Sequence, residues 1–158
     1  MKNKLTIIAL IFFSLLLISC GYKKIIEKDQ GTVTINEIKI SGDKRVGYGL
    51  KNDILLSSSP GSQNLINIDL DINKVKEIKN KKISGKVEKY NIILKANVKI
   101  KNLGNDIMFT RIFSRSVDYE VMNNHSDTIS NEKNAVEICA SQLSDDIVKF
   151  INIYFKTK

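Results

Sequence analysis

The sequence predicts an α+β domain: a four-stranded, mostly antiparallel sheet with two helices packed on one face, in the order β-α-β-β-β-α. Three observations carry that expectation. Two segments, Ile66 to Ile72 and Tyr90 to Ile100, alternate apolar and polar residues with the period of a half-buried strand. Two others repeat apolar residues at helical spacing, Val46, Leu50 and Ile54 with Leu55 in one, Ala135, Cys139, Leu143, Ile147, Phe150, Ile151 and Tyr154 in the other. No internal repeat and no second domain boundary interrupts them.

The first strand is expected over Thr32 to Ser41, where Val33 and Ile35 fall on one parity and Ile38 and Ile40 on the other, which implies a bulge between them. Gly42-Asp43 then offers a turn and a helix start, and the first helix runs until Ser57-Ser58-Ser59-Pro60-Gly61 stops it. The second strand takes Ile66, Ile68, Leu70 and Ile72 and extends toward Val75 or Ile78. A basic connection from Lys79 to Lys86 leads to the third strand, Tyr90 to Lys101, and Leu103-Gly104-Asn105-Asp106 has the composition of a hairpin turn. The fourth strand, Ile107 to Val121, carries Phe109, Phe113, Val117 and Tyr119 on one parity with Arg111 and Arg115. Met108 and Ile112 take the other parity, which implies cover on both faces or a bulge. Met122 to Asp127 reads as a polar loop, with Ser130 or Asn131 capping a long last helix that ends near Lys156.

The chain opens with Lys2 and Lys4 and an apolar run from Leu5 to Ile18 that is too short to span a bilayer comfortably. It closes with Leu17-Ile18-Ser19-Cys20-Gly21, the form of a lipoprotein cleavage site. The expected organisation is a signal peptide at residues 1–19, a lipidated tether at 20–31 and a single domain at 32–158. Cys20 would carry an S-diacylglycerol and an N-acyl group, three chains in all. At about 0.8 kcal/mol per buried CH₂ these hold a protein on a membrane durably. Gly21 is not the aspartate that in many bacteria retains lipoproteins at the inner membrane, so resemblance to sorted lipoproteins implies the outer membrane, facing the periplasm.

Removing residues 1–19 leaves 139 residues, the size of one domain and a tether. The signal holds two of the 25 basic residues and none of the 17 acidic ones, so 23 stand against 17 and the mature net charge is +6. In an envelope compartment the abundant anions that such a charge favours are lipid phosphates, not nucleic acid. A merely solvated lysine surface is the alternative. With Cys20 committed to lipid, Cys139 is left unpaired and is expected as a small buried residue of the last helix.

Nothing in the residue inventory points to an enzyme. His125 is the sole histidine, and Ser126 and Asp127 beside it cannot form a triad, because neighbours in sequence point in different directions. With one histidine and one spare cysteine there is no metal-ligand cluster. Asp69 and Asp71 share a strand face beside Asn67 and Asn73 and read as its solvated side. Gly47-Tyr48-Gly49 lacks the third glycine and the preceding buried strand of a nucleotide loop. No cofactor is expected beyond the lipid on Cys20.

Several local patterns, taken in order, resemble the LPS-assembly lipoprotein family, LptE, over nearly the whole mature chain. Cys20-Gly21-Tyr22 resembles the family's start, and Arg45, Gly47, Leu50, Asn52 and Ile54 followed by Pro60 resemble its first helix. Asn67 to Ile72 resembles its second strand, and Tyr119 followed by Ala135, Glu137, Ala140, Leu143, Ile147 and Tyr154-Phe155 resembles its tyrosine and last helix. Lys24 and Glu120 depart from the pattern, where proline and asparagine are common. The resemblance implies a plug inside the outer-membrane barrel LptD that assists its assembly and the delivery of lipopolysaccharide (LPS) to the outer leaflet. An auxiliary lipoprotein of another envelope transporter, of the ABC type, is the competing reading.

Lipid A presents phosphates, which lysines bind as point charges. Lys79, Lys81, Lys82, Lys86 and Lys89 gather around the connection between strands two and three, and Lys95 and Lys99, with Lys101, extend the charge along the polar face of strand three. These are the candidate contacts with LPS or with acidic barrel loops. The plainer role for them is to keep an edge strand from pairing with other chains.

Overall fold

The computed structural model describes residues 32–156. The expected signal peptide at 1–19, the expected lipidation site Cys20 and the expected tether at 20–31 lie outside the described residues. Within them the order is β1 (Thr34–Gly42), α1 (Lys44–Leu56), β2 (Leu65–Lys81), β3 (Val87–Asn102), β4 (Met108–Glu120) and α2 (His125–Lys156). The sheet order is β1-β2-β3-β4, with β1 parallel to β2 and the other two pairs antiparallel. This is the α+β layout that the alternation and helical spacing predict.

The parallel β1–β2 pair follows from α1, which returns the chain across the sheet as antiparallel hairpins do not. Gly42 makes the reversal possible. It sits at φ +75°, and a Cβ there would lie 2.1 Å from the Ile72 carbonyl oxygen. Asp43 then caps α1 by accepting from the Val46 amide at 3.1 Å. Inside the helix, Gly47 lies so close to β1 that a Cβ would stand 2.4 Å from Ile40 Cγ2. The Gly47-Tyr48-Gly49 pair is therefore a packing contact within a helix, not a phosphate loop.

Both helices cover the sheet face formed by Ile66, Ile68, Leu70 and Ile72 on β2 and Ile92, Leu94, Ala96, Val98 and Ile100 on β3, all buried. Leu50 and Ile54 from α1 and Cys139, Leu143, Ile147 and Ile151 from α2 complete one continuous core. The other face is polar, with Asp69 opposite Lys99 and Asn73 opposite Lys95 in the β2–β3 register.

Several boundaries differ from expectation. The expected bulge of β1 is present as a register shift between Ile35 and Glu37. β4 carries none: its register with β3 is regular, and Met108 and Ile112 stand exposed on the uncovered face. The polar segment ahead of α2 is largely helix. Asn124 accepts from the Ser126 amide at 3.0 Å and so caps the helix, which begins at His125, ahead of the expected Ser130 or Asn131. Helical geometry then turns His125, Ser126 and Asp127 about 100° apart from one another.

Candidate functional site: the basic tip of the β2–β3 hairpin

β2 and β3 run well past the helix-covered core. Near their ends the pairing shifts register between Ile78 and Asn80 and again at Lys81, so the hairpin bends before it closes. The closure is a tight turn. The Gly85 amide donates to the Lys82 carbonyl and the Lys82 amide to the Lys86 carbonyl, each at 2.8 Å. Gly85 takes φ +80°, the left-handed position such a loop requires. The turn holds Ile83 at its apex, fully exposed, where it is the most exposed of the large apolar residues.

The structure divides the sequence-derived lysines into three groups. Lys81, Lys82 and Lys86 stand exposed around Ile83 and make no ion pair among the described residues. Lys79 and Lys89, lower on the hairpin, are partly neutralised by β4, Lys79 by Asp118 at 3.6 Å and Lys89 by Glu120 at 3.1 Å. Lys95 and Lys99 lie on the polar sheet face, about 20 and 33 Å along β3 from Lys89 at the rise of a strand. The first group is thus the concentrated cationic feature, and Lys95 and Lys99 belong to a charge-alternating sheet surface instead.

A polar junction fixes the base of this hairpin to α2. Lys76 Nζ is 2.6 Å from Glu132 Oε2 and lies over the Tyr90 ring at 4.3 Å, while the Tyr119 hydroxyl donates to the same Glu132 oxygen at 2.8 Å. Tyr90 and Tyr119 stack with centroids 5.7 Å apart. Burial opposes the charge of Lys76, but its bonds to Glu132 and Tyr119 outweigh it and hold the ammonium above its ordinary pKa. The bond from Lys76 draws the Glu132 carboxyl below its ordinary value against the effect of burial, and burial pushes the Tyr119 phenol up. The sequence placed Tyr119 by strand parity and by resemblance and gave no sign of Glu132. The role of Ile83 was missed too, though an isoleucine inside Lys-Lys-Ile-Ser-Gly-Lys was the available signal.

No group of three or more His, Cys, Asp or Glu side chains is placed to hold a metal among the described residues. What the tip offers is three exposed ammonium groups around one exposed aliphatic side chain.

No family model matches the chain, and no curated protein matches it in sequence. Solved structures do. A minor lipoprotein from Acinetobacter baumannii superposes with a TM-score of 0.60 at 12% identity, covering 78% of this chain and 92% of that one. A lipoprotein B from Nitrosomonas europaea gives 0.51 at 14% identity, covering 80% and 89%. The chain therefore shares the fold of these bacterial lipoproteins, over most of their length.

Proposed function

We propose that the protein is an outer-membrane lipoprotein, anchored by acyl chains on Cys20, that partners a barrel of the LptD type and hands LPS toward the outer leaflet by contact alone, without catalysis or cofactor. The observation that carries this reading is the hairpin tip. Lys81, Lys82 and Lys86 match the phosphates of lipid A, and Ile83 matches its acyl region. Each lysine near an anionic lipid surface contributes about 1 kcal/mol, and burying an exposed isoleucine adds roughly 2 kcal/mol. The LptE-like patterns of the sequence and the shared lipoprotein fold support the same reading.

The layout supports a handover role as well. Thr32, where the tether joins the domain, is bonded to Ser62 and Asn152 at the end of the sheet where β2 begins. The tip lies at the far end of β2, 16 residues on from Leu65, which is roughly 50 Å at the rise of a strand. Thr32 and the tip thereby lie at opposite ends of β2.

The test is to replace Lys81, Lys82 and Lys86 with glutamate together and measure binding of purified LPS. A loss of tenfold or more with an unchanged fold is expected. Unchanged LPS binding together with unchanged barrel pull-down overturns the reading.

A further inference from the structure

The two edges of the sheet are unequal. β1 is nine residues long and bulged between Ile35 and Glu37, a feature that discourages further strands. β4 is 13 residues long, without proline, glycine or register shift, and among the described residues it pairs only with β3. Its outward N–H and C=O groups form a row that α2 caps at one end, where the Asn131 side-chain amide donates to the Glu120 carbonyl at 3.2 Å.

Beside that row, β4 and α2 flank two open, shallow cavities. One, of about 340 Å³, has an apolar wall of Val117, Ala135 and Ile138. The other, of about 520 Å³, is lined by Phe113 and Phe150 with Arg111 and Lys149 at its rim. Between them Arg115 reaches across to α2 and binds Asp146 through both guanidinium bonds, the longer at 2.7 Å. Phe113 and Val117 share one face of β4 and are four residues apart, about 13 Å. A strand laid along β4 would present its own alternate side chains to both cavities at that spacing.

Charge specifies the occupant further. The Arg111 guanidinium rests 4.4 Å from the centre of the Phe150 ring and has no carboxylate partner among the described residues. Asp146, the acidic group of that cavity, is already engaged by Arg115. A second copy of this chain would bring Arg111 and Arg115 on one edge toward the same two arginines on the other, within a pair of cationic molecules. A foreign segment with a carboxylate at the Arg111 end avoids that conflict, while Asp118 and Glu120, which line the other cavity, are already paired with Lys79 and Lys89.

We propose that the outer edge of β4 accepts an extended segment of a partner protein as a fifth strand, with apolar side chains entering the two cavities against α2 and a carboxylate meeting Arg111. Main-chain bonds would supply affinity and the cavities selectivity, as in other cases of strand addition.

The probe is an eleven-residue peptide of alternating threonine and valine, with one phenylalanine and an aspartate two positions from it, titrated into the full mature protein. Binding is expected, weakened at least tenfold by Arg111→Glu and regained when lysine replaces the peptide's aspartate. Arg111→Gln, which removes charge without adding repulsion, should give an intermediate loss, with circular dichroism confirming the fold. N-methylation of the alternate peptide amides that face β4 should abolish binding, and methylation of the other set should not. Absence of binding, indifference to both methylation patterns, or a dimer of the mature protein that masks the β4 amides from exchange would each overturn the proposal.

Discussion

Lys76 Nζ and Glu132 Oε2 stand 2.6 Å apart and join the root of the β2–β3 hairpin to the first turns of α2, with the Tyr119 hydroxyl on the same oxygen. Both side chains are more than a third exposed, so solvent screens the pair and its Coulomb energy alone is modest. Its importance is positional. It connects the cationic hairpin to the helix-covered core, so the tip is presented by a fixed base.

Replacing Glu132 with alanine removes the partner of Lys76 and of the Tyr119 hydroxyl together. A loss of about 1–2 kcal/mol is expected in urea unfolding. Faster amide exchange confined to the distal parts of β2 and β3 should accompany it. Uniform loss of protection across the sheet would contradict the positional role.

Stability should fall in acid. The Glu132 carboxyl is held below its ordinary 4.5 by Lys76, and Asp146 below its ordinary 3.8 by Arg115. Groups depressed in the folded state bind protons more readily when unfolded, so their contribution is complete above about pH 4.5 and is lost as pH drops through the depressed values. Lys76 is shifted upward, so its contribution persists until alkaline pH passes 10.5. Urea midpoints should be flat from pH 5 to 8, decline below 4.5, and in Glu132→Gln decline less steeply.

Gly42→Ala should destabilise by more than 1 kcal/mol. The position is left-handed, which costs a non-glycine residue roughly 1–2 kcal/mol, and the new Cβ would collide with the Ile72 carbonyl. Gly49→Ala, in the same helix with open space around it, should instead stabilise by up to about 1 kcal/mol. Denaturant melts of the two variants decide it by sign.

Cys139 should resist alkylation. It is fully buried against the core, and burial pushes its thiol pKa up, so little reactive thiolate forms. Maleimide labelling should proceed at the rate of unfolding and should appear promptly in urea. Rapid labelling of the folded protein would mean that α2 is not seated as described.

Ile83→Glu separates lipid contact from stability. The side chain is fully exposed, so the melting curve should move by less than about 0.5 kcal/mol. Partition onto LPS-containing vesicles should nonetheless fall severalfold.

The sheet was legible because its pattern is local. Ile66 to Ile72 and Tyr90 to Ile100 announce their buried face by parity, and Ala135 to Tyr154 announces the stripe of α2 by spacing. The bulge at Ile35/Glu37 was legible for the same reason, as a change of parity. The start of α2 was not, because Asn124 competes with Ser130 and Asn131 as a cap and only tertiary context selects among them. Tertiary proximity also hid the junction of Lys76, Tyr119 and Glu132, which are 43 and 13 positions apart in sequence. Among the lysines, composition could not separate Lys79 and Lys89, answered by Asp118 and Glu120 on β4, from Lys81, Lys82 and Lys86, which make no ion pair among the described residues.

The most direct measurement is mass spectrometry of the native protein extracted from membranes, with identification of what co-purifies. The expected result is a chain beginning at Cys20 with a diacylglycerol and an N-acyl group, in stoichiometric complex with an outer-membrane barrel. Unacylated protein that is freely soluble and brings no outer-membrane companion would contradict the account.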